Sequence, residues 1–112
     1  MTPAHEYAAA VLDVVRQIPP GHAMTYGLIA EVVAEKLGRG GPRQVGNVMS
    51  GGETGDPATW DDVPWWRVVN ASGNPPAHYI TEALDALRAE ATPLKRNGTQ
   101  VDLKRAIWYP GK

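Results

Sequence analysis

Apolar residues recur at steps of three and four along the first part of the chain, the spacing of one face of an α-helix. The first run predicts an amphipathic helix over residues 3–17, which the prolines and glycine at 19–21 end. Thr25 is a favourable N-cap, so a second helix is predicted over residues 26–37, with Gly38 behind it. The residues predicted to face inward are Ala8, Val11, Leu12, Val15 and Ile18 in the first helix and Leu28, Ile29, Val32, Val33 and Leu37 in the second.

Pro42 suits a first helical position and predicts a short third helix that ends near Ser50. Apolar and polar positions alternate along it at helical spacing, which gives it one inner and one outer face. The inner residues are Val45, Val48 and Met49, and the outer ones are Arg43, Gln44, Asn47 and Ser50. Two helices joined by a glycine-rich turn, the second short and polar outside, are typical of a helix-turn-helix.

The second half of the chain is less regular. Residues 51–62 have turn composition and predict a loop. The segment from Pro64 predicts an extended entry into a strand around residues 67–69, because proline restricts its predecessor to extended geometry and β-branched residues suit a pleat. A turn over 70–76 follows, then a fourth helix over 79–91. The apolar residues that share one face of this helix are Ile80, Leu84, Leu87 and Ala91. Apolar and polar residues alternate over 100–103, which predicts a short strand. Trp108 is predicted to close the core.

The 112 residues, 43% of them hydrophobic and 21% charged, indicate one ordinary globular domain over residues 1–112, mainly α with a small β element. No apolar run approaches the roughly 20 residues that span a bilayer, and the N-terminus lacks a signal-peptide pattern, so we expect a cytoplasmic protein, nucleoid-associated if bacterial. The chain has no cysteine, which excludes a cysteine nucleophile. His5, His22 and His78 fall at no metal-ligand spacing, and we expect neither metal nor cofactor.

The net charge of −1 and pI of about 6.3 do not favour nucleic acid as a partner, since phosphate contacts usually leave a basic footprint. Any such footprint must therefore be local. The basic residues within and after the predicted helix-turn-helix are Lys36, Arg39, Arg43 and Arg67, and the acidic residues crowded in one loop are Glu53, Asp56, Asp61 and Asp62. If DNA is the partner, that acidic loop is expected to point away from it.

Four ordered segments carry a resemblance to a known family. They are Ile18-Pro19-Pro20-Gly21, Thr25-Tyr26-Gly27-Leu28-Ile29-Ala30, Pro42-Arg43-Gln44-Val45-Gly46-Asn47-Val48-Met49, and Pro64-Trp65-Trp66-Arg67-Val68-Val69. In this order they resemble the DNA-binding domain of the O6-alkylguanine-DNA alkyltransferases, from about Tyr7 to Pro110. The family has Pro-Cys-His-Arg in the last segment, and Trp65 stands at the position of the alkyl-accepting cysteine. With tryptophan at this position, the chain resembles the alkyltransferase-like proteins, which bind the lesion without removing it.

The resemblance implies a winged helix-turn-helix that approaches the minor groove and flips the damaged nucleotide out of the duplex. It implies that Arg43 enters the base stack and that Tyr26 pushes the adjacent phosphate. Gly46, with Gln44 and Asn47 beside it on the third helix, would allow close approach to DNA. From the sequence alone, Arg43 can also be interpreted as a solvated surface arginine, and Tyr26 as a half-buried core residue.

The pocket residues implied by the resemblance are Pro64, Trp65, Trp66, Arg67, Val68, Asn70 and His78. Trp65 would stack on the alkylated base, although two adjacent tryptophans can also be read as one core and one surface residue. Trp66 replaces the usual histidine and is expected either to narrow or to fill the pocket. Arg67 and Asn70 are expected to organise the turn, and His78 to flank the lesion. Glu90 matches a family glutamate, with Ala91 in place of the following glycine, and is interpreted as a structural or surface acid.

The function expected from the resemblance is non-enzymatic recognition of O6-alkylguanine in double-stranded DNA by a monomer, which marks damage for nucleotide excision repair proteins. The alternative is a sequence-specific transcription regulator in which Arg43, Gln44 and Asn47 read the major groove. An alkyltransferase would require a covalent adduct, which the missing thiol argues against. A member of the family that has lost binding through Trp66 and the acidic loop is the remaining alternative.

Overall fold

The fold is described from a computed structural model, which covers residues 3–49 and 62–110. The elements are helix α1 (Pro3–Gln17), strand β1 (Met24–Thr25), helix α2 (Tyr26–Leu37), helix α3 (Pro42–Met49), a 3-10 helix (Trp65–Arg67), strand β2 (Val68–Val69), a second 3-10 helix (Ala77–Tyr79), helix α4 (Ile80–Ala89) and helix α5 (Leu103–Ala106). The predicted fold class, mainly helical with a small β element, is confirmed.

The first three helices pack on one another around an apolar core. All five residues predicted to face inward from α1 are buried, and Ile29 and Val33 of α2 meet Val45 and Val48 of α3 in the same cluster. Leu28, Val32, Leu37 and Met49 are only partly buried at its edge. Trp108 packs against this cluster from the C-terminal end of the chain, as predicted.

Strands β1 and β2 form a two-stranded parallel sheet in which Met24 pairs with Val68 and Thr25 with Val69. Strand β1 was not predicted from the sequence. Each strand is followed at once by a segment that the resemblance assigns to DNA contact, α2 after β1 and the turn at Asn70 after β2. The sheet therefore holds the helix-turn-helix and the predicted pocket segment in one fixed register.

Two predictions for short segments in the second half of the chain were wrong. Residues 65–67 form a 3-10 helix rather than an extended entry, closed by a hydrogen bond of 3.0 Å from the Arg67 amide to the Pro64 carbonyl, so the strand is limited to Val68 and Val69. Residues 100–103 do not form a strand: Val101 makes an isolated antiparallel bridge to Leu94, and Leu103 begins α5.

Helix α4 ends at Ala89, two residues before the predicted end. Ala91 has a φ of 59° and cannot continue a right-handed helix. Its amide donates to the Arg88 carbonyl, and the Thr92 amide donates to the Leu87 carbonyl at 3.0 Å. These two bonds form a Schellman C-cap. Of the predicted stripe, Leu84 and Leu87 are buried, whereas Ile80 is 38% exposed and Ala91 is exposed.

The loop predicted over residues 51–62 lies outside the described residues except for Asp62. The Asp62 carboxylate accepts a hydrogen bond of 3.2 Å from Arg16 on α1. None of the described helices is both long and apolar enough to cross a membrane.

Candidate nucleic-acid interface

The helix-turn-helix begins at a well-formed cap. The Thr25 side-chain oxygen accepts a hydrogen bond of 3.1 Å from the Leu28 amide, as an N-cap threonine should, and so fixes where α2 starts. Tyr26 is the first residue of α2 and is half-buried against the core. Burial raises the pKa of the Tyr26 hydroxyl, so this side chain stays neutral at physiological pH. A phenol held in this way can donate a hydrogen bond to an anionic oxygen.

The turn between α2 and α3 is packed onto α1. Gly40 has a φ of 97°, and a Cβ on this residue would overlap the ring of Tyr7, which is buried. The Gly41 amide donates to the Gln44 side-chain oxygen at 3.0 Å and completes the start of α3. The position of α3 is therefore set by contacts on both sides of the turn.

The outer face of α3 presents the residues that the resemblance assigns to DNA. Arg43, Gln44 and Asn47 are exposed, while Val45 and Val48 on the opposite face are fully buried. A Cβ on Gly46 would meet no atom of the described protein within 4 Å. Gly46 is thus not required by internal packing, although glycine costs a helix interior about 1 kcal/mol relative to alanine. The space beside it is open for a partner that approaches closely.

The predicted pocket segment carries a cluster of three aromatic rings. The Trp65 ring lies 5.8 Å from the Trp66 ring at an interplanar angle of 85°, and 5.8 Å from the Tyr79 ring at 63°. Both tryptophans are partly buried, and Tyr79 is 59% exposed. Edge-to-face contacts at such distances stabilise aromatic pairs. The Trp65 ring therefore contacts two other rings, and part of its surface remains exposed to solvent.

Sequence reasoning missed Tyr79. Its prediction that His78 flanks the lesion stays a prediction, because the His78 backbone lies in the second 3-10 helix but the side chain is outside the described residues. The signal that could have found Tyr79 is a large aromatic residue shortly after the rigid Pro75-Pro76 turn, where its ring position is constrained.

Trp66 occupies the inner side of this cluster. Its ring packs against the core group formed with Leu84 and Leu87, and the Arg67 guanidinium carbon lies 5.5 Å from the ring centroid, a cation–π distance. The indole Nε1 is buried and makes no hydrogen bond of normal geometry among the described residues. Trp66 therefore forms the apolar floor behind Trp65.

Arg67 joins three distant segments. Its Nε donates to Glu90 Oε1 at 3.0 Å, its Nη2 donates to Glu90 Oε2, and its Nη1 donates to the Ile18 carbonyl at 2.7 Å. Arg67 thus holds the Trp65 segment against the segments that follow α1 and α4. Glu90 is not a surface acid, because its side chain is only 15% exposed and both of its carboxylate oxygens accept hydrogen bonds from Arg67.

The ionisation of Glu90 is tied to this geometry. Burial raises the pKa of the Glu90 carboxyl, but the Arg67 hydrogen bonds, the nearby Trp66 indole, the Arg67 charge and the Gly21 amide together outweigh it. The net result is a pKa below its ordinary value, and Glu90 is a carboxylate at neutral pH.

The remaining predicted pocket residues support the segment from behind. Pro64 and Val68 are buried, so neither presents a side chain to a ligand. The Asn70 side-chain oxygen accepts hydrogen bonds of 2.9 Å from the amides of Ser72 and Asn74, and so shapes the turn after β2. Within the described residues, no group of histidine or acidic side chains is arranged to hold a metal ion.

Helix α3 is exposed and polar on its outer face, and a tight turn joins it to the capped helix α2. This arrangement is that of a helix-turn-helix DNA-binding domain. The small sheet connects it to the segment that carries the aromatic cluster. The family model of the 6-O-methylguanine DNA methyltransferase DNA-binding domain matches residues 6–92. The chain belongs to this family, and the resemblance identified from the sequence is confirmed.

Two solved structures are similar over nearly the whole chain. One is S. pombe Atl1, an alkyltransferase-like protein, in complex with damaged DNA containing O6-carboxymethylguanine; it has a TM-score of 0.72 and 31% identity, and the match covers 95% of this chain and 97% of that one. The other is S. pombe ATL in complex with DNA, with a TM-score of 0.71, 31% identity and the same coverage. No curated protein sequence matches the chain significantly.

Proposed function

We propose that the protein is a non-enzymatic sensor of O6-alkylguanine in double-stranded DNA. It binds from the minor groove through α3, turns the damaged nucleotide out of the stack, and holds the base against the Trp65 ring. The complex then marks the site for nucleotide excision repair, as the family resemblance implies. The protein acts as a monomer in the cytoplasm or on the nucleoid.

The observation that carries the proposal is the placement of Trp65. It stands at the family's alkyl-acceptor position and is flanked at 5.8 Å by the Trp66 and Tyr79 rings. A flipped base that stacks on an aromatic side chain gains about 1–3 kcal/mol. The complex of S. pombe Atl1 with O6-carboxymethylguanine DNA supports the same ligand class for this chain.

The absence of cysteine from the sequence supports a binding function rather than a transfer reaction. Alkyl transfer by this family's route needs a thiolate, and indole carbon and nitrogen atoms are poor substitutes as nucleophiles. The family's proton relay also lacks its histidine here. Glu90 is instead paired with Arg67, which leaves it no proton to carry.

Arg43 supports the flipping step. It lies exposed on the first turn of α3, where a planar guanidinium can enter the stack and donate hydrogen bonds to the orphaned base. Gly46, one turn further on, leaves room for the duplex. Tyr26, at the start of α2, would press a neutral phenol against the neighbouring phosphate.

The test compares matched duplexes that differ only in one base, guanine or O6-methylguanine, by anisotropy of a labelled strand. We expect the wild type to prefer the lesion, and Trp65→Ala to lose about 5- to 150-fold of affinity for the lesion duplex alone, the equivalent of one stacking contact. Arg43→Ala should weaken binding to both duplexes. Arg16→Ala, an exposed arginine on α1, is the matched control and should change neither.

Two other outcomes would replace the proposal. Equal affinity of the wild type for the two duplexes, together with preference for one DNA sequence, would indicate a transcription regulator instead. A mass increase of one methyl group on the protein after incubation with the methylated duplex would indicate an alkyltransferase.

A further inference from the structure

A short hairpin after α4 carries basic residues at its tip. Leu94 and Val101 pair across it, the Lys95 amide donates to the Gln100 carbonyl at 2.9 Å, and the Gly98 amide donates to the Lys95 carbonyl at 2.9 Å. We call residues 94–101 the basic hairpin. The Asn97 side chain stabilises the tip: its nitrogen donates to the Gln100 side-chain oxygen at 2.8 Å, and its oxygen accepts from the Thr99 amide at 3.0 Å.

The basic hairpin and the helix that follows it carry a concentration of positive charge. Lys95 and Arg96 are exposed at the tip, and Lys104 and Arg105 are exposed on α5 just beyond it. In the described part of the chain, none of these four forms an ion pair. Arg88 reaches the tip from α4 by donating to the Gly98 carbonyl at 3.0 Å. These hydrogen bonds fix the backbone of the hairpin that carries Lys95 and Arg96.

The helix-turn-helix, by contrast, is poor in cations. Arg43 is the single basic residue of α3, and Lys36 is the single one of α2, where it is accompanied by Glu31 and Glu35. Arg39 in the turn forms an ion pair of 3.9 Å with Glu6. Most DNA-binding proteins obtain much of their affinity from several phosphate contacts, so this chain needs cations from another element.

The basic hairpin is attached to the rim of the proposed pocket. The Val101 amide donates to the Gly73 carbonyl at 2.8 Å, and the Gln100 side chain donates to the Ser72 carbonyl at 3.1 Å. Gly73 has a φ of 87°, and a Cβ on it would overlap the Val101 backbone, so the two segments are in direct contact. The turn they meet at is the one that Asn70 shapes between the Trp65 segment and Tyr79.

We infer that the basic hairpin is a second phosphate-binding surface, which grips the DNA backbone beside the pocket while α3 occupies the groove. This inference rests on the proposed function for the identity of the ligand as duplex DNA. Lys95 and Arg96 make the contacts, and Lys104 and Arg105 extend the same surface along the strand. The hairpin contributes affinity without reading the lesion, because phosphates carry no information about the base.

The test is the salt dependence of binding to an undamaged and an O6-methylguanine duplex. Each phosphate contact contributes about 0.9 to the slope of log affinity against log salt. We expect Lys95→Gln and Arg96→Gln each to reduce the slope by about 0.9, and the double variant by about 1.8, while the preference for the lesion stays at the wild-type ratio. Arg16→Gln removes the same charge from α1 and should leave the slope unchanged. A urea midpoint equal to wild type verifies that each variant is folded.

The outcomes separate the hairpin from the proposed function. Wild-type slopes in Lys95→Gln and Arg96→Gln would overturn the inference, as would an equal fall in Arg16→Gln, because the effect would then follow net charge alone. If the wild type shows no lesion preference, the proposed function fails, yet the slopes on undamaged duplex still decide whether the hairpin binds phosphate.

Discussion

Arg67 and Glu90, 23 residues apart, form a two-pronged ion pair in which Nε and Nη2 of the arginine each donate to a different carboxylate oxygen. The side chains are only 12% and 15% exposed. The same arginine donates to the Ile18 carbonyl at the end of α1. One side chain therefore ties the Trp65 segment to the C-terminus of α4 and to α1, and it holds the aromatic cluster in place.

Glu90→Gln is expected to lower the free energy of unfolding by about 2–3 kcal/mol, because it leaves the largely buried Arg67 charge without a counter-charge. The measurement is urea unfolding at pH 7. Asp85→Asn is the matched control, since Asp85 and Arg88 form an exposed pair at 3.7 Å and such pairs contribute about 0–1 kcal/mol. Equal losses in the two variants would show that burial of the Arg67 pair adds nothing.

The stabilisation from Glu90 should depend on pH. Its pKa is lower in the folded protein than the ordinary value of 4.5, so the unfolded chain binds the proton first as the pH falls. The contribution is complete above pH 4.5 and disappears as the pH falls through the lower, folded pKa. The difference in unfolding free energy between wild type and Glu90→Gln should accordingly be constant from pH 7 to 6 and shrink below pH 4.5. A difference that is the same at pH 6 and pH 3 would contradict the assignment.

The first three helices could be predicted from sequence because their signals are local. Spacing of apolar residues, the Thr25 cap and Pro42 all act within one or two turns. The Trp65–Arg67 3-10 helix was missed because partners far along the chain hold it, Ile18 and Glu90 among them. Strand β1 was missed because a two-residue parallel pair leaves no periodic pattern.

Gly40→Ala should destabilise the protein by about 2–3 kcal/mol. The new Cβ would overlap the Tyr7 ring, and the backbone φ of 97° disfavours any side chain. Thermal unfolding measures the loss. Gly41→Ala is the control one residue on. Among the described residues its Cβ would meet only the Gln44 side-chain oxygen, at 3.5 Å, and the cost should stay below about 1 kcal/mol. Similar losses for the two variants would mean that the Tyr7 contact does not hold the turn.

Gly46→Ala should separate stability from binding. The helix gains about 1 kcal/mol, because alanine is the better helix former and the Cβ enters open space. DNA affinity should fall about tenfold, since an extra methyl group in a packed contact costs about 1–3 kcal/mol. Urea unfolding and anisotropy are measured on the same sample, so the gain in stability is itself the control against misfolding. Unchanged affinity would place the duplex away from this face of α3.

The proposed site shows the same division between local and distant signals. The motif order placed Trp65, Trp66 and Arg67, because these residues are contiguous in the chain. Tyr79 lies 14 positions beyond Trp65, and its ring contact depends on the turn at Asn70 and on the second 3-10 helix. Counting along the sequence selected its neighbour His78 as the residue that flanks the lesion, and that choice stays a prediction. The contact between the Tyr79 and Trp65 rings is a tertiary feature that no local pattern in the sequence indicates.

Ala91→Gly is expected to stabilise the protein. Ala91 ends α4 with a φ of 59°, and its Schellman bonds from Ala91 to Arg88 and from Thr92 to Leu87 fix that geometry. A left-handed conformation costs an L-residue about 1–2 kcal/mol, and glycine avoids it, although its freer unfolded chain offsets part of the gain. The net increase in unfolding free energy should be about 0.5–1 kcal/mol.

Ala89→Gly makes the same exchange two residues earlier, in the last turn of the helix, where it should cost about 0.5–1 kcal/mol. Because both residues are exposed, only backbone conformation distinguishes them, and effects of the same sign would show that the helix does not end at this cap.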